Sequence, residues 1–522
     1  NNRMKKKFLL IVMTSLLAMV ISCQDELNKE PLSTLAPENF FNDLTESEIA
    51  VNGIYDKMAN HYQQNFIYMS DHGSHVSTML FNNPLLNLYA WYTFSNSDRF
   101  VTATWATAYQ VIYGSNLVIN QVAQLDTDDD ILKNRIIAEA KFLRALAYFN
   151  LVRFYGDVPL HLEELSDFDN SVTVNKPRMN ASLIYDAIID DLIFAEEHLY
   201  QASWITDENK PSYDVGDLGR ATVGAAKGLL AKVYLTRASF PERDLDSYQL
   251  AFDKAEEIIA DASYIIDPDY YNLNSLEGKT SQEWIFQIQY SVLGQQTSNW
   301  GGIHNPLSQG QAGQAANDWG YGRVSPTFKF ANSFEEGDLR SDTCAKGRIN
   351  ADGSINYIPR STAWYSHKYR FSSRPLSRFN TDMNAPVLRF ADIILIYAEA
   401  ANELNIVDQD VYNQLDRILS RAGVTTFENG RIENDLKEFI FWERARELCF
   451  EGHSKFDIVR AGLDKFMFEV KGQEQTNNEN NPSATSVVSW SDNVQAYHLL
   501  FPIPAAEMES NSSMAGNQNP GY

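Results

Sequence analysis

Residues 138–160, AEAKFLRALAYFNLVRFYGDVPL, constrain the fold more than any other stretch. Ala140, Leu143, Ala147 and Leu151 form one row at helical spacing, and Ala145, Phe149 and Val152 fill the opposite side. A helix that is apolar around most of its circumference needs neighbours on two sides, so this one belongs in the middle of a stack of helices. Gly156 supplies a stop, and Pro159 prevents continuation.

Periodicity at 3.6 residues predicts further helices over 99–125, 131–155, 180–201, 219–239, 247–262, 386–405, 409–422 and 433–452, with Asn180 as one N-cap. In GAAKGLLAKVYLTRA, Ala231, Leu235 and Ala238 match the core of a tetratricopeptide second helix with Leu for Phe, and Ala145, Phe149 and Val152 match it loosely. Paired helices of this kind bury their faces only by stacking on the next pair. Thr45-Glu46-Ser47-Glu48 reads as a capping box that opens a helix through about Ala59, with Ile49, Ile54 and Met58 inward. Between 263 and 385 the helical period disappears, Gly, Asn, Ser and aromatic residues accumulate, and EWIFQIQY at 283–290 is strand-like. The expected fold is therefore mostly α. Residues 45–262 and 386–464 form a tetratricopeptide-like helical repeat scaffold, and 263–385 with 465–522 form a second, loop-rich lobe carrying short strands.

At the N-terminal end, MKKKFLLIVMTSLLAMVISC (4–23) has a basic start, an apolar run from Phe8 to Ile21, then Ser22 and Cys23. The run is too short to span a membrane, so residues 1–22 read as a signal peptide. Val20-Ile21-Ser22-Cys23 looks like a lipobox, in which Cys23 is acylated and becomes the new N-terminus; the alternative is an ordinary secretory signal with an incidental cysteine. Residues 23–44 then read as a lipid-anchored tether containing Pro31 and Pro37. The chain of 522 residues carries a net charge of −25, and cleavage before Cys23 leaves 39 basic against 68 acidic residues, or −29. A surface so acidic repels phosphate backbones, which argues against nucleic acid as a partner. With only three cysteines there is no disulfide framework, and Cys449 reads as a plain buried thiol.

Catalytic signatures are missing: the sequence has no HExxH, GxSxG, GxxxxGK or CxxC. His72 and His75 lack a further ligand at fitting spacing and read as polar loop histidines. Asp126, Asp128, Asp129 and Asp130 imitate a calcium loop without its sixth-position Gly or twelfth-position Glu, so they read as a solvated turn with Asp130 capping the next helix. Glu443, Glu447 and Glu451 follow one another at one-turn spacing beside Arg444 and Arg446, which predicts an ion-pair ladder along one helix. A glycosidase needs two carboxylates facing each other across a cleft. No cofactor and no metal are expected.

Sugar rings present flat apolar CH faces rimmed by hydroxyls, and call for aromatic platforms flanked by polar groups. Two stretches meet that requirement. In NLYAWYTFSNSDRF (87–100), Tyr89, Trp91 and Tyr92 stand beside Asn96 and Asp98. In 295–323, Trp300, Trp319, Tyr321 and Arg323 lie among glycines that keep the loop open. Trp91 and Trp300 are the leading platforms. For each aromatic the alternative is packing between the lobes.

Five segments carry a resemblance. AEAKFLRALAYFNLVRFYGDVPL is similar to the AEAxFLRAxxYFxLVxxFGDVPL signature of the SusD/RagB family. Likewise ATVGAAKGLLAKVYLTRA (221–238), NAPVLRFADIILIYAEAANEL (384–404), FIFWERARELCFEGHSKFDIVR (439–460) and the closing LLFPIPAAEMESNSSMAGNQNPGY resemble further signatures, in the family's order. His453 and Lys455 depart from the usual pair around an Arg, and the tail lacks NPN before QNPGY. The resemblance implies a non-catalytic lipoprotein on the surface of a Bacteroidetes outer membrane. Such a protein holds oligosaccharide and passes it to a SusC-like TonB-dependent transporter, and Gln24-Asp25-Glu26 resembles the family's surface-export tag. Glycan contacts are implied in the same two regions, by region and not residue by residue. Peptide cargo is the alternative, and a glycosidase-like enzyme the remote one.

Overall fold

The computed structural model describes residues 40–78, 84–164, 175–207, 209–294, 296–304, 323–345, 348–349, 355–356, 365–369, 381–479 and 493–522, together with residue 3. The expected signal peptide apart from residue 3, Cys23 and most of the expected tether lie outside this set. So do Trp319 and Tyr321.

The chain is mostly helical. Helices α1 (Leu44–His61), α2 (Gln64–Asp71), α3 (Pro84–Trp91), α4 (Arg99–Ala123), α5 (Asp130–Tyr155), α6 (Ala181–His198), α7 (Val223–Ala238) and α8 (Ser247–Asp261) precede the insertion. Within the insertion lie the single turn Tyr270–Leu273 and two further short helices, α9 (Trp300–His304) and α10 (Phe328–Ala331). After it come α11 (Phe390–Leu404), α12 (Gln409–Ala422), α13 (Leu436–Leu448), α14 (Ser454–Arg460) and α15 (Leu463–Glu479). Neighbours stack in the sequence α1, α4, α5, α6, α7, α8, α11, with α12 and α13 on α11. That continuous stack is the expected repeat scaffold.

Helix α5 occupies its middle, as its all-round apolar pattern predicts, and is buried almost continuously from Arg135 to Tyr155. Its polar residues are scaffold. Arg144 donates to both carboxylate oxygens of Asp191 at 2.7 and 2.8 Å, and Tyr148 donates to the His161 carbonyl at 2.9 Å. The Arg153 guanidinium lies between the Phe149 and Phe456 rings, and burial pulls its pKa down to about 10. Gly156 ends the helix at φ +72°, where an L side chain would be strained.

Several sequence expectations shift. α1 is capped by Asp43, whose side chain accepts from Glu46 N at 2.9 Å, while Glu46 accepts from Asn42 N at 2.7 Å; the cap sits ahead of Thr45. Ile49 is therefore turned outward and is 58% exposed, while Val51, Ile54 and Met58 face inward. Asp129, not Asp130, caps α5. Residues 385–389 form a strand paired antiparallel with Trp284–Ile288, so the helix expected from 386 starts at Phe390. Both strands are fully buried, which explains why 385–389 shows no alternation. Cys449 is a buried thiol as expected.

The expected ladder on α13 is instead a hub joining distant segments. Only Glu443 and Arg446 pair within the helix, at 2.8 Å. Glu447 accepts from Arg389 (2.5 Å), Arg340 (3.0 Å) and Arg421, and Glu451, beyond the helix end, pairs with Arg389 and Lys368. Arg389 and Arg421 also share Glu283, at 2.7 Å each. Because Glu283, Arg340 and Lys368 come from the insertion, the hub clamps it to the stack. The facing cations hold the Glu443, Glu447 and Glu451 carboxyls below their ordinary values against the opposing effect of burial.

Candidate functional site

The two aromatic stretches spring from one base. Ser77–Thr78 pairs antiparallel with Ser325–Pro326, Thr327 N donates to Val76 O at 2.9 Å, and Thr327 Oγ1 donates to His75 O at 2.8 Å. On the other side Gln63 Nε2 donates to Thr297 O at 2.7 Å, and Arg323 N donates to Ile303 O at 3.0 Å. Each bond is between residues far apart in sequence. None has a local signature, which is why sequence reasoning missed Gln63 and Thr327.

Within the first stretch, Asp98 caps α4, its Oδ1 accepting from Phe100 N (2.8 Å) and Val101 N (3.4 Å) and from the Tyr89 hydroxyl. Tyr89 is 1% exposed and stacks on Phe94, so its ring is core. Tyr92 is also buried: at φ +54° it turns back to donate to Gly73 O and rests against Phe466 and His498. Gly73 is required there, since a Cβ would lie 2.6 Å from Tyr89 O. These two tyrosines hold the loop, and neither presents a face. Trp91, the last residue of α3 between them, is half-buried, as are Asn96 and Asp98. The Asn96 carbonyl accepts from Ala505 N at 2.8 Å, pinning the loop to the C-terminal segment.

Trp300 lies where no sugar can reach it. It is 0% exposed, its indole N–H donates to Tyr62 O at 2.8 Å, and its ring stacks on His304. Gly301 and Gly302 directly after it are buried too, where bonds to Gln63 and Tyr62 draw the segment inward. Arg323 is half-buried and donates to the Tyr68 hydroxyl at 3.1 Å. The structure thus keeps Trp91, Asn96, Asp98 and Arg323 at least partly accessible and buries Trp300, Tyr89 and Tyr92.

His72 and His75, expected in a polar loop, are core residues at 3% and 1% exposure. His72 stacks on Tyr68 and His75 on Phe441, and burial pushes both imidazoles down to about 3, which keeps them neutral. Asp71 is pushed up to about 7 by burial, with Gly452 N donating to it at 3.2 Å. Among the described residues no group of His, Cys, Asp and Glu could hold a metal ion, and no helix is long and apolar enough to cross a membrane.

Comparison with known proteins agrees with this architecture. The model of the SusD family matches residues 347–522, and a second model, described as starch-binding and associating with the outer membrane, matches residues 27–235. A SusD-like protein P2 of Formosa agariphila is 27% identical, covering 97% of this chain and 98% of the relative. A crystal structure of a SusD homologue from Bacteroides thetaiotaomicron superposes with a TM-score of 0.79 at 23% identity, over 93% of this chain and 98% of that one. A laminarin-binding SusD-like protein superposes with a TM-score of 0.70 at 22% identity, over 92% and 99%. The order of the helical stack, the sequence signatures that build it and these matches agree, and the chain belongs to the SusD/RagB family.

Proposed function

We propose that this protein is a non-catalytic glycan-binding protein that takes up oligosaccharide at the face carrying Trp91 and delivers it to a SusC-like TonB-dependent transporter. The observation that carries the reading is the shared base of the two loops. One strand pair and the Gln63 bonds tie both to a common base, and the first stretch carries a half-buried indole together with the half-buried Asn96 and Asp98. An accessible indole in a polar stretch suits a pyranose ring. Support also comes from a fold shared with a protein described as laminarin-binding and from a matching family model described as starch-binding. Glu443, Glu447 and Glu451 all face cations in the hub, which favours binding over catalysis. Trp319 and Tyr321 are proposed as further platforms, with Arg323 close after them in sequence.

The proposed location is the outer membrane, through acylation of Cys23, with the protein facing outward. Cys23→Ala is expected to move the protein into the soluble fraction with binding unchanged, and retention in the membrane would contradict lipid anchoring. The carbohydrate part is tested by titrating the purified protein calorimetrically with a polysaccharide panel that includes laminarin and starch. Heat of binding to at least one glycan is the expected result, and a folded protein that binds none overturns the reading.

A further inference from the structure

Along α13 lies an open groove of about 690 Å³, within the usual size of ligand sites. Its floor is Trp442 on α13, partly exposed, with Phe439 beneath. One wall is the turn after α10, the other is the segment 431–435 ahead of α13. Arg431 ties the walls together with two bonds of 2.7 Å to the Glu335 carboxylate, and Arg446 reaches Ser333 O at 3.4 Å. The shape is therefore built and not a gap between mobile side chains.

The chemistry of the lining selects a ligand class. The Trp442 N–H is already taken by Glu438 one turn earlier, at 2.9 Å, so the indole's remaining offer is the part of its apolar face that Lys329 leaves uncovered. Lys329 Nζ, held by Glu469, sits 5.1 Å from the ring centroid and places a donor above that platform. Asn434 and Asp435 stand exposed at the rim beside Ile432, which is 85% exposed. Three cations (Lys329, Arg431, Arg446) face four carboxylates (Glu335, Glu433, Asp435, Glu438), on a chain whose net charge is −25. Such a balance favours neither phosphate groups nor a strongly cationic peptide. A flat ring with planar carboxylate and amide groups around it suits a neutral sugar.

We propose that the Trp442 groove is a second carbohydrate subsite, which engages the same polysaccharide chain that the Trp91 face holds. The inference rests on the glycan-binding reading and extends it. His75 connects the groove to the loop base. His75 contacts Trp442 edge-on at 5.7 Å, and two residues later the chain enters the strand pair from which the proposed glycan-binding loops rise. Two modest sites on one chain raise apparent affinity for long ligands without changing affinity for short ones.

The test is affinity electrophoresis of full-length protein through gels containing laminarin or starch, alongside calorimetry with the matching trisaccharide. Trp442→Ala is expected to weaken retardation by the long polymer at least about fivefold, with trisaccharide affinity at the Trp91 face unchanged. Asn434→Ala, at an exposed position that cannot disturb the core, is expected to weaken it about twofold. If wild type is retarded, Trp91→Ala weakens it and both groove variants migrate like wild type, the groove is overturned while the Trp91 site stands. If wild type is not retarded by any polymer, both readings fall.

Discussion

The two aromatic stretches look alike on paper and end in opposite states. Both put a tryptophan among small and polar residues, and both rise from the same strand pair. In the first, Tyr89 and Tyr92 go inward on either side and leave Trp91 half exposed. In the second, Trp300 itself goes inward, because its N–H meets the Tyr62 carbonyl, 238 residues away. A buried indole needs a partner for its N–H. The Tyr62 carbonyl meets that need for Trp300, whose ring is core.

The largest expected effect tests the buried member of the pair. Trp300→Ala removes a fully buried indole and is expected to lower stability by about 3–5 kcal/mol. Chemical denaturation checks this, and a loss below about 1 kcal/mol would show that the ring is not part of the core. Trp91→Ala is expected to do the reverse: stability nearly unchanged, and glycan affinity lower by about 2 kcal/mol, roughly 30-fold in Kd. Tyr92→Phe sharpens the contrast further. It deletes only the hydroxyl donated to Gly73 O and is expected to cost about 1 kcal/mol of stability, with binding weakened through the loop it holds.

The smallest effect is a change of slope. Lys455 lies beneath Tyr92, buried, donating to His498 O at 2.9 Å, with the rings of Tyr92 and Phe466 within 5 Å. Among the described residues it has no carboxylate partner, and burial draws it from its ordinary 10.5 down to about 7. Between those two values the unfolded chain binds more protons than the folded one, so this group makes stability rise with pH across that window. Below about 7 both states are protonated and the slope vanishes. Comparing thermal midpoints of wild type and Lys455→Met from pH 7 to 10 isolates the contribution. Parallel curves would mean that the amine reaches solvent.

Much of the stack was legible because its signals are local. The α5 pattern, the Asn180 cap and the periodicity of α4, α7 and α12 each predict an element that the structure contains. The misses arise where a non-local partner decides. Residues 385–389 became a strand because Trp284–Ile288 pairs with them, and Glu447 left the expected ladder because Arg340, Arg389 and Arg421 converge on it. His72 and His75 are polar in type, yet Tyr68 and Phe441 give them an aromatic environment that composition cannot anticipate. At the proposed site, the stretch around Trp91 was readable from residue types. Which of its rings would face outward was not.

The central claim is that a ring's exposure, not its neighbours in sequence, decides which tryptophan holds the glycan. The most direct measurement is a paired one: glycan affinity by calorimetry and thermal midpoint for Trp91→Ala and Trp300→Ala, against whichever polysaccharide wild type binds. The account predicts a crossed pattern, with Trp91→Ala losing about 30-fold in affinity at an unchanged midpoint and Trp300→Ala losing midpoint. A Trp91→Ala variant that binds as wild type does would contradict it.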